Sequence, residues 1–257
     1  MMFKPRIIGF ICNWSLPTEV DIASSNRISG YPKIRIVRVK CIGRIDPAIV
    51  LETFVKGADG VLVIGCPPPD CHYIEGNLQA ERKIKMLKEL LSLTGLEPER
   101  LRLEWSYPFE IERFARIIND FRNKVTVLGS SPLAGERPDM DILLNIKAAK
   151  AAVEDFRLRV LVGREIELTE KENVFGEKIS QEEFDALLYE TIRVEFIRHK
   201  IHLLTKEKLM SVKEIASITN MKPCLVLRHI VNMRRKGMIT LDHVEKTTPL
   251  YKALEVR

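Results

Sequence analysis

The sequence predicts a mixed α/β protein in which a small doubly wound parallel sheet is followed by a separate C-terminal module. Strand-like and helix-like patterns alternate through residues 6–121, as they do in parallel α/β sheets. The charge is also divided, because residues 191–257 hold 14 Lys and Arg against 6 Asp and Glu, whereas residues 1–190 hold 27 against 29. The basic last quarter indicates a module that faces an acidic partner, either nucleic acid or a protein surface.

Length and composition limit the class of protein. A chain of 257 residues exceeds a typical domain of about 100–200, so two domains are expected, and 46% hydrophobic residues argue against disorder. The longest uncharged apolar stretch, residues 60–69, is much shorter than the roughly 20 residues of a spanning helix, so no membrane insertion is expected. Five cysteines are too few and odd in number for a secreted disulfide scaffold, which predicts a reducing, cytoplasmic location.

Four strands are predicted in the first half of the chain. Residues 59–66 are continuously apolar, as in a central strand buried on both faces, and residues 33–41 alternate apolar with basic side chains. The other two predicted strands are residues 6–12 and 100–105. Helices are predicted between and after them at residues 46–56, 77–93 and 108–121, the first opened by an Asp46 cap and Pro47. The predicted fold of residues 1–128 is therefore a small, doubly wound, flavodoxin-like sheet.

Residues 129–180 are interpreted as an extension that connects two modules. Just before it, residues 125–128 are a candidate further strand, and residues 141–156 have the pattern of a helix. Residues 169–176 are charged and are expected to be an exposed connector. Four nearby carboxylates are expected to be solvated: Glu165, Glu167, Glu170 and Glu172.

Residues 181–257 are predicted to form a winged-helix-like domain. A long helix, or two closely joined, covers residues 181–204, and a short one covers 211–219, where Ser211 and Glu214 have capping-box spacing. A turn precedes a helix at 224–236, and residues 238–241 and 250–254 suggest a hairpin. Cys224 is expected to pack in the core. Five basic residues lie on or beside this recognition helix: Lys222, Arg228, Arg234, Arg235 and Lys236.

The most informative feature is the position of the other four cysteines. Cys12, Cys41 and Cys66 each end a predicted strand, and Cys71 follows five residues after Cys66. Because the carboxyl ends of parallel strands share one edge of a sheet, all four thiols are expected to converge there. They fit three interpretations: small buried hydrophobes, a structural zinc site, or an iron–sulfur cluster. The absence of paired C-x-x-C knuckles weighs against zinc and favours the cluster, although spacing does not separate a 2Fe-2S from a 4Fe-4S cluster.

Longer strings around these cysteines carry a family resemblance. "GFICNWS", "VKCIGRIDPAIVLETFVKGADGVLVIGC", "PDCHYIEGN" and "ERKIKMLKELLSLTGLEPERLRLEW" resemble the delta subunit of methyl-viologen-reducing hydrogenase, over about residues 6–122. The resemblance implies a 2Fe-2S cluster held by Cys12, Cys41, Cys66 and Cys71. It also implies a role in methanogenesis-type metabolism, passing electrons from a hydrogenase or formate dehydrogenase module to the flavin- and iron–sulfur-containing subunit of a heterodisulfide reductase.

The chain departs from the family pattern at three positions. Ser15 stands where the family commonly has a second cysteine in a C-N-W-C string, and Pro67 and Pro69 stand where C-H-P-G-D-C has His and Gly. If the ligands are the remaining cysteines, Cys12, Cys41, Cys66 and Cys71 still make a complete set. If the missing cysteine is itself a ligand in the family, Ser15 would bind weakly through oxygen or the cluster would be lost.

Residues beside the cysteines are assigned supporting roles. Trp14 and Tyr73 are expected to shield the cluster from water, and His72 to be a hydrogen-bonding loop residue. Arg44 either offsets the cluster's negative charge or is a solvated loop residue.

No motif for substrate chemistry accompanies these features. The sequence contains neither a dinucleotide fingerprint nor a phosphate-binding loop, and no His-Glu-x-x-His zinc motif. The chain is therefore expected to be a non-catalytic electron-transfer subunit of an oxidoreductase complex. The alternative is a redox-sensing regulator that uses an iron–sulfur sensor domain and binds DNA through its C-terminal domain.

Overall fold

The computed structural model describes residues 3–17 and 34–255. Four parallel strands, β1 (Ile7–Cys12), β2 (Arg35–Val39), β3 (Gly60–Gly65) and β4 (Leu101–Trp105), form one sheet in the order β2-β1-β3-β4. All four predicted strands and the mixed α/β class are thus confirmed. Lys33, the first residue of the second predicted strand, lies outside the described residues.

The central strands are buried on both faces, as their apolar sequences require. All six residues of β3 are buried. Val61 and Val63 belong to one hydrophobic core, whereas Leu62 and Ile64 belong to another. Because successive side chains of a strand point to opposite faces, the two cores lie on opposite sides of the sheet.

Among its described residues, this first unit has three helices: α1 (Pro47–Val55), α2 (Gly76–Ser92) and α3 (Ile111–Leu128). Asp46 caps α1 by accepting a hydrogen bond of 3.0 Å from the Ala48 N–H. The interpretation of residues 125–128 as a strand is wrong, because they form the last turn of α3. Val125 is buried one helical turn after Phe121, so the apolar spacing continues the helix instead of starting a strand.

Four helices follow: α4 (Met140–Glu154), α5 (Phe156–Gly163), α6 (Glu165–Thr169) and the long α7 (Gln181–Glu207). The expectation that Glu165 is solvated is wrong. Its side chain is buried between Arg82 Nε, 3.4 Å from Glu165 Oε2, and Gln181 Nε2, 3.0 Å from Oε1. Both partners come from distant segments, which is why the local acidic pattern did not reveal them.

Helix α7 contributes to two hydrophobic cores. Its first half packs into the core of the α/β unit through Phe184, Leu188, Ile192 and Phe196. Ile201, near its other end, belongs to the core of the C-terminal elements. The domain boundaries at residues 128 and 181 remain predictions.

A buried ionic network lies where α7 meets its neighbours. The Glu195 carboxylate is fully buried and its Oε1 atom lies 3.0 Å from Arg157 Nη1, 2.7 Å from Arg198 Nη1 and 4.0 Å from Lys236 Nζ. Asp155 and His199 lie beside it, with ligand-type atoms within 4.8 Å of each other and of Glu195. The Glu195 carboxylate of this cluster is already surrounded by three cations, which repel a further metal cation.

The C-terminal elements are β5 (Met210–Ser211), α8 (Val212–Thr219), α9 (Pro223–Arg235), β6 (Ile239–Glu245) and β7 (Thr248–Ala253). The strands form an antiparallel sheet in the order β5-β7-β6. The predicted capping box of Ser211 and Glu214 is present. Cys224 is exposed and does not pack in the core, because the buried face of α9 is formed by Val226, Ile230 and Met233. No helix within residues 3–17 and 34–255 is long and apolar enough to cross a membrane.

Candidate metal centre

Two of the four cysteines meet at the carboxyl ends of the adjacent central strands. Cys12 is the last residue of β1 and Cys66 immediately follows β3. Their Sγ atoms are 3.9 Å apart, and both side chains are buried. The parallel register of β1 and β3 therefore brings together two residues that are far apart in sequence.

The other two cysteines form a second pair beside the first. Cys41 is buried and precedes a short 3-10 turn, Ile42–Arg44, whereas Cys71 is half-buried in the loop between β3 and α2. The Cys41 and Cys71 thiols are neighbours, and Cys71 contributes, after burial, to the raised pKa of Cys41. Gly76, at the start of α2, packs against both sulfurs, and a side chain at this position would collide with Cys41 Sγ.

The four thiols are thus arranged as two pairs. Among the residues that the structure describes, no three of the cysteine sulfurs all lie within 4.8 Å of one another. The pairs are nevertheless close enough for electrostatic coupling between Cys41 and both Cys12 and Cys66. Of the cysteines that were predicted to converge, the structure brings Cys12 and Cys66 into contact. The spacing of the cysteines in the sequence did not reveal that the four thiols form two pairs.

Burial of the site raises the pKa of two of its thiols, those of Cys12 and Cys41. Burial, with the neighbouring thiols of Cys66 and Cys41, raises the pKa of Cys12 to about 12. Burial also raises the pKa of Cys41, beside Cys71. Thiolate is the form that binds metal, so a metal that occupies this site must displace these protons.

A buried serine completes the inner surface of the site. Ser15 is fully buried, and its hydroxyl donates a hydrogen bond of 3.5 Å to Cys66 Sγ. The Ser15 hydroxyl is therefore directed at a cysteine of the candidate site.

Aromatic rings lie along the outer side of the site. Trp14 stacks on His72 with ring centroids 3.5 Å apart, and Tyr73 contacts His72 edge-on at 4.9 Å. The stack joins the turn after Cys12 to the loop that carries Cys71. Trp14 is 43% and Tyr73 47% exposed, so these two rings also form part of the outer surface.

Lys83 supports the turn that carries Cys41, a role that the sequence did not reveal. From α2, its Nζ donates hydrogen bonds of 2.7 Å to the Gly43 carbonyl and 3.3 Å to the Ile45 carbonyl. Burial lowers the pKa of Lys83. Nothing in the sequence around Lys83 distinguishes it from the other lysines of α2, so only the tertiary structure reveals that it supports the Cys41 turn. Arg44, on the same turn, lines an open pocket with Cys41.

These features define a class of protein: a parallel α/β domain that gathers cysteine thiols at the carboxyl edge of its sheet. Comparison with known proteins identifies the family to which the chain belongs. Residues 7–129 match the family model described as methyl-viologen-reducing hydrogenase, delta subunit, and the chain belongs to this family.

Three relatives illustrate the similarity. The vhc iron-sulfur subunit of the F420-non-reducing hydrogenase of Methanococcus voltae is 42% identical over 131 residues, which are 51% of this chain and 91% of the relative. The iron-sulfur subunit of the F420-non-reducing hydrogenase of Archaeoglobus profundus is 43% identical over 127 residues, 49% of this chain and 93% of the relative. One subunit of the ferredoxin/F420H2-dependent CoB-CoM heterodisulfide reductase of Methanosarcina acetivorans is 41% identical over 132 residues, 51% of this chain but 16% of the relative.

Proposed function

We propose that Cys12, Cys41, Cys66 and Cys71 hold a 2Fe-2S cluster and that the protein is an electron-transfer subunit. The observation that carries this proposal is the pairing of the thiols. Two thiolates on one tetrahedral metal with metal–sulfur bonds of about 2.3 Å are about 3.8 Å apart. The separation of 3.9 Å between Cys12 Sγ and Cys66 Sγ matches that spacing.

The arrangement of the two pairs favours two metal atoms over one. A single tetrahedral zinc ion would draw all four sulfurs to within about 4 Å of one another. In this site no three sulfurs lie within 4.8 Å of one another, while each pair is close. Soft thiolates in a dry pocket are also the ligands that iron–sulfur clusters prefer. Such a cluster would accept and release single electrons.

The partners of this relay are inferred from the relatives. One group of relatives is named as hydrogenase iron-sulfur subunits, and in another the matching segment is part of a heterodisulfide reductase polypeptide. We infer that this chain receives electrons from a hydrogenase or formate dehydrogenase module. It delivers them to the flavin- and iron–sulfur-containing subunit of a heterodisulfide-reductase-like complex. The half-buried Cys71 and the exposed rings of Trp14 and Tyr73 make this end of the sheet the exchange surface.

Metal analysis of cysteine variants tests the ligand set. Anaerobically purified wild-type protein is expected to contain about two iron atoms and two sulfides per chain. Single serine substitutions of Cys12, Cys41, Cys66 and Cys71 should each lower that content or change the electron paramagnetic resonance spectrum of the reduced protein. Cys224→Ser is the matched control, because Cys224 is exposed on α9, and it should leave both unchanged. Stoichiometric zinc in the wild type would refute the proposal.

The relay is tested separately by assembly. Affinity-tagged chain isolated anaerobically from its host is expected to bring with it a flavoprotein together with a hydrogenase or formate dehydrogenase. Reduction of the flavin by the donor's substrate should then depend on the Cys12 and Cys66 thiols. A chain that retains its iron but isolates alone would contradict the relay.

The finer fold assignments are part of the same proposal. The strand order β2-β1-β3-β4 reproduces the first four strands of the flavodoxin-like order 2-1-3-4-5, which supports a flavodoxin-like first domain. Cys12 and Cys66 then flank its topological switch point, where ligands bind. Helices α8 and α9, followed by the β6–β7 hairpin, support a winged-helix C-terminal domain.

A second candidate function is DNA binding by this C-terminal domain. Lys222, Arg228, Arg234 and Arg235 are exposed on or beside α9, and none of them forms an ion pair with another described residue. Such cations are available for phosphates. In a redox-sensing regulator, the cysteine site would be the sensor.

Salt dependence separates DNA binding from protein docking. Binding of the full chain to a fluorescent 30-base-pair DNA duplex should weaken steeply as the salt concentration rises. Replacing Arg228, Arg234 and Arg235 by Ala should reduce the slope of the logarithm of the binding constant against the logarithm of the salt concentration. The reduction should be about 0.9 for each phosphate that the protein no longer neutralises. Lys171→Ala, in the exposed connector, is the matched charge control. Absence of binding at about 50 mM salt would dismiss this candidate and leave the module as a docking element.

A further inference from the structure

The hydrogen bonds to the buried cysteine sulfurs follow a pattern with one exception. The backbone N–H groups of Trp14 and Gly43 lie beside the Cys12 and Cys41 sulfurs, respectively, and each lowers the pKa of its thiol against the opposing effect of burial. In both cases the donor is two residues after the cysteine, in the turn that leaves the strand. N–H groups placed in this way stabilise negative charge on sulfur.

Cys66 has no equivalent donor in the residues that follow it. The three residues after Cys66 are Pro67, Pro68 and Pro69. Proline has no backbone N–H, so this segment offers no donor at the second position or on either side of it. Without another source, the Cys66 sulfur would be the only one of the three buried sulfurs that lacks a hydrogen-bond donor on or just after its own strand.

Ser15 supplies a donor from a different segment. Its hydroxyl lies 3.5 Å from Cys66 Sγ, it is fully buried, and within residues 3–17 and 34–255 the hydroxyl has no other partner. The bond is directed across the sheet edge, from the turn after β1 to the end of β3. It therefore fills the position that a backbone amide occupies at Cys12 and Cys41.

The turn that carries Ser15 is held in place from several sides. The Ser15 N–H donates to the Cys12 carbonyl at 3.0 Å, and the Asn13 N–H donates to the Val39 carbonyl at 2.8 Å. Asn13 Oδ1 accepts a hydrogen bond of 2.8 Å from Arg38 Nη2, and Trp14 stacks on His72. A hydroxyl on so fixed a backbone keeps its direction when the charge on the site changes.

We infer that Ser15 is a positioning residue that tunes the metal centre by donating a hydrogen bond to the Cys66 sulfur, in place of the amide that the three prolines cannot provide. This inference rests on the proposed function, because it requires a cluster held by Cys66. When one electron is added to the centre, the charge on its sulfurs becomes more negative and the hydroxyl stabilises that reduced form. Ser15 keeps its own proton throughout. The hydrogen bond therefore raises the reduction potential.

The test compares Ser15→Ala with Ser106→Ala in the full chain. Ser106 is also buried and lies just after β4, but its hydroxyl donates to the Tyr107 carbonyl and forms no hydrogen bond to a sulfur among the described residues. A redox titration followed by electron paramagnetic resonance should show a lower reduction potential for Ser15→Ala. The expected shift is equivalent to an about three- to tenfold change in the reduction equilibrium, the net value of one hydrogen bond. Ser106→Ala should titrate like the wild type.

Resonance Raman spectra in H2O and D2O provide a readout that a purely structural role would not change. The iron–sulfur stretching modes of the wild type should shift on deuteration of the Ser15 hydroxyl, and part of that shift should vanish in Ser15→Ala. An iron-loaded Ser15→Ala variant with the wild-type potential and the full deuterium shift would overturn this inference and leave the proposed cluster standing.

Two other outcomes also count against the inference, and they are distinguishable. Loss of iron in Ser15→Ala but not in Ser106→Ala would mean that Ser15 is itself a ligand. A wild-type protein without iron would refute the proposed function and the inference together.

Discussion

The cysteine edge, formed by Cys12, Cys41, Cys66 and Cys71, and the exposed face of α9 are built in opposite ways. The cysteine edge is mostly buried and gathers residues from distant parts of the chain. Burial raises the pKa of two of its thiols, those of Cys12 and Cys41. The face of α9 is exposed and basic, and it is continuous in sequence. Long-range topology creates the first site, whereas one helix is enough to create the second. The two should therefore respond very differently to substitution.

The largest effect is expected from adding one methyl group at the cysteine edge. Gly76→Ala should abolish metal binding, because the new Cβ would collide with Cys41 Sγ and lie 3.3 Å from Cys71 Sγ. Gly163→Ala is the matched control, since a Cβ there meets no atom within 4 Å. Iron and sulfide analysis of both variants checks this, and full iron content in Gly76→Ala would show that the site is not shaped as described.

The next largest effect is expected at the buried ionic network around Glu195, which Lys236 reaches from the end of α9. Glu195→Ala should destabilise the protein by about 3 kcal/mol, because it leaves the buried Arg198 guanidinium without its carboxylate. Glu190→Ala, on the exposed side of the same helix as Glu195, should change the free energy of unfolding by less than about 0.5 kcal/mol. Urea unfolding measures both, and equal values for the two variants would show that the buried network does not stabilise the fold.

A smaller effect is expected behind the Cys41 turn, at Asp46. Its carboxylate caps α1 and also accepts hydrogen bonds of 3.0 and 2.9 Å from Arg159 Nη2. Asp46→Ala should lower the free energy of unfolding by about 1–2 kcal/mol at pH 7. Asp46→Asn, which keeps a capping oxygen but removes the charge, should lower it less.

The same residue predicts a dependence on pH. Burial opposes ionisation of Asp46, but the Ala48 N–H and Arg159 outweigh it and lower its pKa. A lowered pKa means that the charged form stabilises the fold above the ordinary value of about 3.9, and that this contribution is lost as the pH falls through the folded-state value. The difference between wild type and Asp46→Ala should therefore be full at pH 7 and shrink below about pH 4. A difference that grows on acidification would contradict this assignment.

The smallest effect on stability is expected at the exposed face of α9. Replacing Arg228, Arg234 or Arg235 by Ala should change the free energy of unfolding by less than about 0.5 kcal/mol, because none of them has an ion-pair partner among the residues that the structure covers. Thermal unfolding checks each variant. A loss above about 1 kcal/mol would show that this face is part of the fold and not a free surface.

The two regions also differ in how far the sequence could predict them. The apolar pattern of residues 59–66 and the cap at Asp46 identified β3 and α1, and parallel topology was enough to predict that Cys12 and Cys66 meet at the edge of the sheet. Local patterns failed where the deciding interaction is tertiary. Glu165 is buried by Arg82 and Gln181, and the donors from Ser15 and Lys83 are visible only once the turns are in place. Cys224 is exposed because it lies outside the buried face of α9, and the residues around it in the sequence did not indicate which face of the helix would be buried.

The central claim is that two pairs of cysteines each hold one iron of a binuclear cluster. Mössbauer spectroscopy of the protein loaded with ⁵⁷Fe, before and after one-electron reduction, tests it most directly. The paired arrangement predicts two iron sites in equal amounts, both ferric when oxidised, with one becoming ferrous on reduction, and two sulfides per chain. One iron or four irons per chain, a reduced spectrum without equal ferric and ferrous components, or a chain that binds zinc instead of iron would contradict it.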